Sequence, residues 1–428
     1  MLDTGTVYHT SLSSQELCKC DIIPTNATNA GKCTVTAKSS GAEKTAVLFG
    51  AGCVGRGFLG QLLSESGYTL TFVEIDEPLI AALNARRAYT LRLMENDRCE
   101  DLVISAARTL YSRADETLVT ALSETSLVTT AVGVRSLPDI APLIAAGIVR
   151  RAERDVTAPL NILICENMQD ASGTFKAMVL AHVPIALHAY TEAHIGFVDV
   201  VIGRTIPRPT PEMREADCSY IIADTYKKLP VNRSRFVGPL PEIAGLLPTD
   251  DFTAYIERKL YLHNCGHAIL GYLGYQRGHQ LSWQALEDPV IHEVLVRAFD
   301  EVRAGFRAVY TMDAAELDNY IAELLQNFAN RTLGDTVVRL ARDPLRKLGP
   351  KERLVGAARL VEKASVTPDA LSLAIAAAYR FDNTADPLAV ELQRRIATEG
   401  IEAVMADVSS IQAAEPLGQL VIQNFSQM

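Results

Sequence analysis

The sequence has little that would point to a membrane protein, a nucleic-acid-binding protein or a secreted protein. No apolar run reaches the roughly 18 residues that a membrane-spanning helix needs, and the N-terminus lacks the charged and then apolar layout of a secretory signal. Only 41 Lys and Arg stand against 51 Asp and Glu, which gives a formal net charge of -10. Because an acidic chain attracts phosphate backbones poorly, we expect no nucleic acid and no membrane as partner, but a small molecule bound in the cytoplasm.

The cysteines lack the spacing of a metal site. There are eight of them, and the nearest approach to a cluster is Cys18, Cys20 and Cys33, with no histidine at zinc-finger intervals beside them. Paired cysteines at regular spacing are typical of small secreted domains, and that pattern is missing here too. We therefore interpret the cysteines as reduced thiols and expect no bound metal.

Composition divides the chain into three parts. Its 428 residues are 48% apolar, enough for two or three domains with cores of their own. Residues 1–44 mix Ser, Thr, Asn, Ala and Gly without periodicity and predict a flexible extension; a transit peptide is the alternative, although the stretch is neither rich in Arg nor free of acids. We expect two folded domains, at 45–205 and 206–428, divided at the proline-bearing stretch 206–209.

The two domains differ in their apolar periodicity. In the first, the strand Thr45–Phe49 runs into a glycine turn, a helix over Cys53–Ser66 and a strand over Thr69–Ile75. Further apolar strands are predicted at Leu102–Ser105, Ser126–Val132 and Asn161–Cys165. In the second, helical spacing is found at Glu212–Tyr226, Phe252–Leu273, Pro289–Tyr310, Ala314–Phe328 and Pro368–Tyr379. The predicted fold class is α/β, with an N-terminal Rossmann-like doubly wound parallel sheet followed by a mainly α-helical C-terminal domain.

The turn after the first strand carries a dinucleotide-binding fingerprint. In Gly50-x-Gly52-x-x-Gly55 the three glycines would provide a tight turn, a close backbone approach to a pyrophosphate and tight packing of helix on strand. Cys53 and Val54 lie at the N-terminus of the following helix, whose unpaired N–H groups and positive dipole end favour an anion. We expect these five residues to hold the phosphates of a cofactor bound by the domain at 45–205.

An acidic residue at the end of the second strand indicates which dinucleotide binds. Glu74, 19 residues after Gly55, would accept hydrogen bonds from the ribose hydroxyls and repel a 2′-phosphate, which favours NAD over NADP. Asp76 is the alternative for this role, and a pair of solvated strand-end charges is the simpler interpretation. A second glycine-bearing turn, with Thr130 and Val132, ends another strand at the same edge, so we expect it near the nicotinamide ribose.

Three polar residues in the second domain form a candidate catalytic group. Lys259, Asn264 and His267 lie on one predicted helix, at about 0°, 140° and 80° around its axis if every residue turns by about 100°. Burial would lower the pKa of the lysine toward neutrality, as suits a base that removes a proton from an alcohol. The alternative is an ordinary amphipathic helix with a solvated lysine and a histidine satisfied in the core.

A competing motif overlaps the same helix. Tyr255-x-x-x-Lys259 matches the Tyr-x-x-x-Lys pair of short-chain dehydrogenases. Those enzymes have another glycine spacing at the first turn and place both sites in one domain of roughly 250 residues. Here Tyr255 lies far beyond Gly55 in a separate helical domain, so we reject this interpretation.

Taken together, the motifs resemble those of one family. Gly50-Ala51-Gly52-x-x-Gly55-Arg56-Gly57-Phe58 is similar to the opening of the polyol-specific long-chain dehydrogenases, and Lys259-x4-Asn264-x2-His267 is similar to their catalytic signature. The agreement continues in LNAR at 83–86, TTAVG at 129–133, CENM at 165–168, GFVD at 196–199, ERKL at 257–260, GHAI at 266–269 and PLRKL at 344–348. These segments extend over most of the two folded domains, so the resemblance is more specific than any single motif.

The resemblance implies an activity and a role for each residue of the catalytic group. It implies NAD(H)-dependent, metal-independent interconversion of a hexitol phosphate and a ketose phosphate, namely mannitol 1-phosphate and fructose 6-phosphate. Lys259 would take the proton of the C5 hydroxyl, and the amides of Asn167 and Asn264 would donate to the oxygen on which charge builds. His267 would orient Lys259 and the substrate. For Asn167, a strand-end amide bonded to backbone is the alternative.

The far end of the substrate is expected to meet a basic segment. This segment holds Arg339, Arg342, Arg346, Lys347, Lys351 and Arg353 in an otherwise acidic protein. The resemblance assigns Arg339 and Lys347 to substrate binding; we add Arg346 and Arg204, because guanidinium groups bind phosphate with two prongs. A solvated helix face is the alternative for the segment.

Two departures from the family pattern leave other functions open. Gly203 stands where the family has an acid, and Arg331 replaces a proline and would add positive charge near the phosphate end. The alternatives are a dehydrogenase of a free hexitol or hexuronate, and a non-catalytic NAD(H)-binding sensor. The physiological direction of the reaction and the choice between a monomer and a homodimer stay open.

Overall fold

A computed structural model describes residues 33–35, 44–95, 98–106, 108–113, 115–168, 170–331 and 335–428. Most of the predicted N-terminal extension, 1–44, therefore lies outside the described residues. Its described part includes a short strand, Cys33–Val35, which pairs in parallel with the segment around Leu102–Ile104.

The strands of the described chain form three sheets. In chain order they are β1 (Cys33–Val35), β2 (Thr45–Phe49), β3 (Thr69–Glu74), β4 (Ala88–Glu95), β5 (Arg98–Ser105), β6 (Arg108–Tyr111), β7 (Leu127–Thr130), β8 (Leu160–Ile164), β9 (Ile195–Asp199), β10 (Ile221–Ala223), β11 (Leu229–Asn232) and β12 (Leu246–Thr249). The main sheet is parallel, with the order β6-β3-β2-β7-β8-β9. Numbered within this sheet, that order is 3-2-1-4-5-6, the arrangement of a Rossmann domain, so the predicted doubly wound sheet is confirmed.

Helices cover the main sheet and then make up the rest of the chain. They are α1 (Gly60–Glu65), α2 (Glu77–Arg86), α3 (Glu116–Glu124), α4 (Leu137–Glu153), α5 (Ala171–Leu180), α6 (His188–His194), α7 (Pro211–Ala216), α8 (Phe252–Arg258), α9 (Cys265–Gln276), α10 (Ser282–Glu287), α11 (Pro289–Val309), α12 (Ala314–Phe328), α13 (Val337–Ala341), α14 (Pro344–Lys347), α15 (Val355–Lys363), α16 (Asp369–Tyr379), α17 (Pro387–Glu399), α18 (Ile401–Ser409) and α19 (Pro416–Gln427). Two stretches have wider π-helical turns, Gly55–Leu59 before α1 and Lys259–Asn264 between α8 and α9. None of the described helices is both long and apolar enough to cross a membrane.

The first part of the predicted second domain, 206–250, contains more strand than α-helix. The helix expected over Glu212–Tyr226 ends at Ala216, where the Asp217 carboxylate accepts the Ser219 N–H and hydroxyl and so builds a local turn. The chain then enters β10, which joins β4 in a second, mixed sheet of order β1-β5-β4-β10, and β11 pairs with β12. Continuous helical structure therefore begins at α8, later in the chain than the residue 206 that the periodicity suggested.

The apolar clusters agree with a division of the chain into a sheet domain and a helical domain. One cluster packs between the main sheet and α3, α4 and α5, and another lies on the sheet's opposite face beneath the helix of the glycine turn. The third belongs to the helices from α9 to α19, where alanine-rich α16 is almost fully buried. The helical domain thus has a core of its own, and α8, at its start, contacts β11.

Candidate active site

The glycine turn is shaped by three positions that serve three different purposes. Gly50 has φ of +91°, and a Cβ built on it would lie 2.4 Å from the carbonyl oxygen of Ala131. A Cβ on Gly55 would lie 1.9 Å from the Gly50 carbonyl oxygen, so the helix packs on the strand end only because the side chain is missing. Around Gly52, in contrast, nothing lies within 4 Å of such a Cβ. The space above Gly52 is therefore open to a ligand that approaches the backbone.

The helix after this turn offers free donors to an anion. Its first i→i+4 bond runs from the Arg56 N–H to the Gly52 carbonyl at 3.1 Å, so the N–H groups of Cys53 and Val54 precede the hydrogen-bonded part of the helix. Glu74 reaches the same turn, because its Oε2 accepts the N–H of Ala51 at 2.8 Å. An open glycine, helix N–H groups and a carboxylate at the strand end together fit a dinucleotide.

The alternative acid, Asp76, is engaged elsewhere. Its carboxylate caps α2 by accepting the Leu79 N–H at 3.3 Å and pairs with Arg214 at 2.7 Å. The second oxygen of Glu74 accepts the N–H groups of Ile75 and Asp76, which holds the Glu74 carboxylate beside the turn. Of the two acids, Glu74 therefore stays the one that we predict to meet the ribose.

The turn after β7 is stabilised by a residue that sequence reasoning missed. Thr130 ends β7 in a buried position, and Glu166 accepts the N–H of Val132 at 2.9 Å and of Gly133 at 3.0 Å. Burial raises the pKa of the Glu166 carboxyl, whereas these two donors lower it. Glu166 stands in the CENM segment of the family resemblance, which was the available signal. It fixes the β7 turn to the end of β8, where Asn167 follows.

The candidate base and the sheet edge meet across the two domains. Lys259, in the π-helical stretch after α8, directs its Nζ at the Oδ1 of Asn167 at 3.4 Å. Asn167 is exposed just beyond β8, at the same carboxyl edge as the glycine turn. The amine therefore faces the edge of the sheet where ligands of parallel α/β sheets bind.

The wider helical turn changes the predicted positions of the catalytic residues. The backbone N–H of Cys265 donates to the Leu260 carbonyl five residues earlier, which inserts one extra residue into the turn. The angle between Lys259 and Asn264 therefore shrinks from about 140° to about 40°. The regular spacing assumed from the sequence was wrong here, and the observed turn brings the lysine and the amide closer to one face than predicted. Within the described chain the Asn264 amide has no hydrogen-bond partner.

Burial and a nearby positive charge lower the pKa of the Lys259 amine. Burial and, to a lesser extent, the positive charge of Arg353 lower the pKa of Lys259 to about 8. In area the lysine is only half-buried, so part of its side chain stays accessible. An amine with a pKa near 8 exchanges protons readily at neutral pH.

We call the region between the carboxyl edge of the main sheet and the helix that carries Lys259 the cleft. On its helical side, two histidines and a phenylalanine pack together. The rings of His263 and His267 lie 4.7 Å apart, and the Phe328 ring lies 4.6 Å from His267. Burial lowers the pKa of His263 to about 3, with the charges of Lys259 and Arg353 as lesser causes, and burial likewise holds the pKa of His267 well below its usual range. Both rings are therefore neutral at physiological pH. Sequence reasoning missed His263 and Phe328; regular helical spacing gives no signal for either.

The basic segment is brought only partly to the catalytic residues. Arg339, Arg353 and Lys347 lower the pKa of His267 after burial and His263, which places their charges around that ring. Lys347 is buried, donates to the Leu340 carbonyl and has its pKa lowered to about 7, first by burial and then by neighbouring arginines.

The remaining arginines of this segment are held by carboxylates. Arg339 pairs with Asp335, and half of its side chain stays exposed. Arg346 pairs with Asp343 at 2.5 Å and with Glu352 at 3.3 Å.

The prediction that Arg204 binds substrate is wrong. Its side chain is completely buried beneath the helix of the glycine turn, where it donates to the Gly57 carbonyl at 2.9 Å and to Gln61 at 2.7 Å. Neighbouring Gly203 packs against the ring of Tyr226, since a Cβ there would lie 2.8 Å from ring carbon Cε1. This packing against Tyr226 explains why a glycine stands at position 203, where the family has an acid.

Arg331 also differs from expectation. Its guanidinium lies 4.5 Å above the Trp283 ring and forms an ion pair with Glu287. Its charge is compensated there and is not available to the phosphate end of a substrate. Tyr255, of the rejected Tyr-x-x-x-Lys motif, donates its hydroxyl to Glu316 at 2.9 Å.

Comparison with known protein families shows which family the chain belongs to. A profile of the mannitol dehydrogenase Rossmann domain matches residues 44–245, and one of the mannitol dehydrogenase C-terminal domain matches 251–428. The chain belongs to the mannitol dehydrogenase family. Members of the family that it resembles include proteins of Bacillus velezensis (strain DSM 23117 / BGSC 10A6 / LMG 26770 / FZB42) and Bacillus subtilis (strain 168), both named mannitol-1-phosphate 5-dehydrogenase. Each is 37% identical over 382 residues, 89% of this chain and 100% of the relative.

Solved structures support the family fold. Pseudomonas fluorescens mannitol 2-dehydrogenase, in a ternary complex with NAD and D-mannitol, superposes with a TM-score of 0.68 at 17% identity, over 92% of this chain and 93% of that one. A substrate-free D-sorbitol dehydrogenase superposes with a TM-score of 0.77 at 16% identity, over 94% and 96% of the two chains. The family profiles and the Bacillus relatives thus confirm the family resemblance inferred from the sequence, and the solved structures agree with the predicted fold.

Proposed function

We propose that this protein is an NAD-dependent dehydrogenase that interconverts D-mannitol 1-phosphate and D-fructose 6-phosphate in the cytoplasm. The observation that carries the proposal is the 3.4 Å contact between Lys259 of the helical domain and Asn167 at the sheet edge. It sets a base beside the edge at which the glycine turn would hold the cofactor. The names of the two Bacillus relatives support the choice of the phosphorylated hexitol.

Lys259 acts as the acid and base. In oxidation its neutral amine takes the proton of the C5 hydroxyl; as the O–H and C5–H bonds break, a C=O bond forms at C5. A pKa of about 8 leaves an appreciable neutral fraction at physiological pH. When bound, NAD accepts the hydride that leaves C5. In the reverse direction the lysine returns the proton to the alkoxide.

Two side-chain amides stabilise the charge on the reacting oxygen. Because the Oδ1 of Asn167 accepts from Lys259, its Nδ2, which donates to no acceptor among the described residues, is left for the substrate. The unpartnered amide of Asn264 lies near the same helix face as Lys259. Removal of one such donor lowers kcat by about 10²- to 10³-fold in other enzymes, and we expect a similar loss for Asn264→Ala.

His267 positions the reacting groups rather than exchanging protons. Its ring is confined by His263 and Phe328 and is held in the neutral form by burial. A neutral imidazole still offers one donor and one acceptor, which is enough to orient a hydroxyl of the substrate.

Initial rates of the wild-type enzyme test the proposal. NADH formation is measured with mannitol 1-phosphate and with mannitol, each with NAD and with NADP, and NADH oxidation with fructose 6-phosphate and with fructose. We expect the phosphorylated substrates and NAD to be preferred. A preference for free hexitols would make it a dehydrogenase of unphosphorylated sugars, and tight NADH binding without any hydride transfer would make it a sensor.

A further inference from the structure

Arg353 lies where the basic segment meets the catalytic helix. It precedes α15, whose first turn packs on the π-helical stretch: a Cβ on Gly356 would lie 2.7 Å from both Cε1 and the hydroxyl oxygen of Tyr261. Tyr261 is two residues after Lys259, so this packing holds the start of α15 against the helix that carries the base. Arg353 is therefore fixed close to the cleft by the tight approach of two helices.

The guanidinium of Arg353 is sheltered but poorly compensated. Only 12% of its side chain is exposed, and its one hydrogen bond to the described residues runs from Nε to Glu352 at 3.1 Å. Both outer nitrogens keep their N–H donors unused. Arg346 differs in both respects, since half of its side chain is exposed and it pairs with both Asp343 and Glu352.

The positive charge of Arg353 lowers the pKa values of several groups in the cleft. After burial, it contributes to the lowered pKa values of Lys259, His263, His267 and Lys347. A cation that is partly withdrawn from water, lies near two neutral rings and the amine of Lys259, and shares its one carboxylate with Arg346 is an unfavourable arrangement that a bound anion would relieve. Its free N–H groups have the fork geometry that matches two oxygens of a phosphate.

We propose that Arg353 binds the phosphate group of the substrate and sets the preference for phosphorylated over free hexitols. The inference rests on the proposed function and names a residue that neither the motifs nor the family resemblance assigned. The phosphate on C1 and the reacting C5 are four carbons apart on one chain, and Arg353 and Lys259 lie on adjoining elements of one cleft. Lys347 and Arg339 add two further positive charges near His267, on the same side of the cleft as Arg353.

The test is the ratio of kcat/KM for mannitol 1-phosphate to kcat/KM for mannitol, measured in wild type, Arg353→Gln and Arg353→Lys. We expect Arg353→Gln to lower the ratio by about 10- to 100-fold, because a charge-assisted bond is lost, mainly through a higher KM for the phosphorylated substrate. Arg353→Lys keeps the charge without the fork, and its ratio should fall between the other two. Inorganic phosphate should inhibit the Arg353→Gln enzyme more weakly than wild type.

Lys363→Gln is the matched control, since it removes one positive charge from an exposed side chain at the far end of α15, outside the basic segment. Its ratio, its NADH affinity and its melting temperature should equal those of wild type. A phosphate preference that survives Arg353→Gln, an equal loss with both substrates, or unchanged inhibition by inorganic phosphate would overturn the inference alone. A wild-type enzyme that prefers mannitol would overturn the proposed function and the inference together.

Discussion

The two halves of the candidate site are built from different parts of the chain. At the glycine turn the backbone forms the site: Gly50 and Gly55 close the turn, and Gly52 leaves open space in front of the helix N–H groups. At the cleft wall, side chains form it, because Lys259 gains its function from Asn167 and from burial against the helical domain. The first half is local in sequence, and the second exists only when the two domains meet.

This difference assigns separate tasks to the two halves. The glycine turn has few titratable groups and reads the cofactor mainly through shape and N–H donors. The cleft wall holds the groups whose pKa values are shifted, Lys259, His263, His267 and Lys347, and carries the proton chemistry. Damage to one half should therefore leave the other working.

The largest effect is expected from Lys259→Ala. Loss of the general base should lower kcat by about 10²- to 10⁴-fold in both directions, while the dissociation constant of NADH changes little because the glycine turn is intact. Steady-state rates and quenching of NADH fluorescence measure the two quantities. Near wild-type turnover would remove the lysine from the mechanism, and a large loss of NADH affinity would show that the halves are coupled.

A pair of glycine variants separates ligand space from packing space. Gly52→Val places a side chain in the open space and should weaken NADH binding by about 10- to 100-fold without changing the melting temperature, since charge-assisted bonds to the cofactor are lost. Gly55→Ala forces a Cβ against the Gly50 carbonyl oxygen and should cost about 3 kcal/mol of folding stability. If Gly52→Val lowered the melting temperature as much as Gly55→Ala, the space above Gly52 would be part of the fold rather than a ligand site.

Glu74 is the one side chain on which the cofactor half depends for selectivity. Glu74→Gln removes the negative charge beside Ala51 and should lower the preference for NAD over NADP by about tenfold. Asp76→Asn is its control, because that carboxylate caps α2 and pairs with Arg214. The measurement is the ratio of kcat/KM for NAD to kcat/KM for NADP in each variant. If this ratio changed more in Asp76→Asn than in Glu74→Gln, Asp76 rather than Glu74 would be the residue that selects NAD.

The smallest effect concerns pH and should involve only the cleft wall. Since the amine of Lys259 must be neutral to accept a proton, kcat/KM for oxidation should rise with pH, reach half of its plateau near pH 8 and level off at higher pH. Reduction needs the protonated amine and should fall over the same range. His263 and His267 stay neutral and add no step between pH 5 and 8. NADH affinity measured over this range should stay flat; a slope like that of the rate would place the titrating group at the cofactor.

Local patterns were enough to predict much of the fold. The strands β2, β3, β7 and β8 and the helices α11, α12 and α16 follow from apolar periodicity, with ends that differ by one or two residues. The failure over 212–226 has a local physical cause, since the Asp217 turn ends α7 early and the chain continues into β10. Periodicity does not report such a competition between side chain and backbone.

The candidate site was predicted less evenly. The glycine turn and Glu74 depend on neighbouring residues, so their spacing carried the information. Arg204 looked like a substrate ligand because arginines suit phosphate, but its burial beside Asp224 depends on contacts with residues far away in sequence. The convergence of Arg353 on Lys259 has the same origin. Long-range packing of this kind leaves no signature in spacing alone.

The π-helical turn between α8 and α9 ties the chemistry of this enzyme to the length of a single helix. If Lys259–Asn264 adopted ordinary i→i+4 bonding with every residue kept, Asn264 would rotate by about 100° away from Lys259, and the two would no longer share a face. Deletion of one residue from Tyr261–Leu262 would not have this effect, because four residues of an ordinary helix again set the two about 40° apart. The pairing of the lysine with the amide therefore depends on the match between the number of residues and the width of the turn in this stretch.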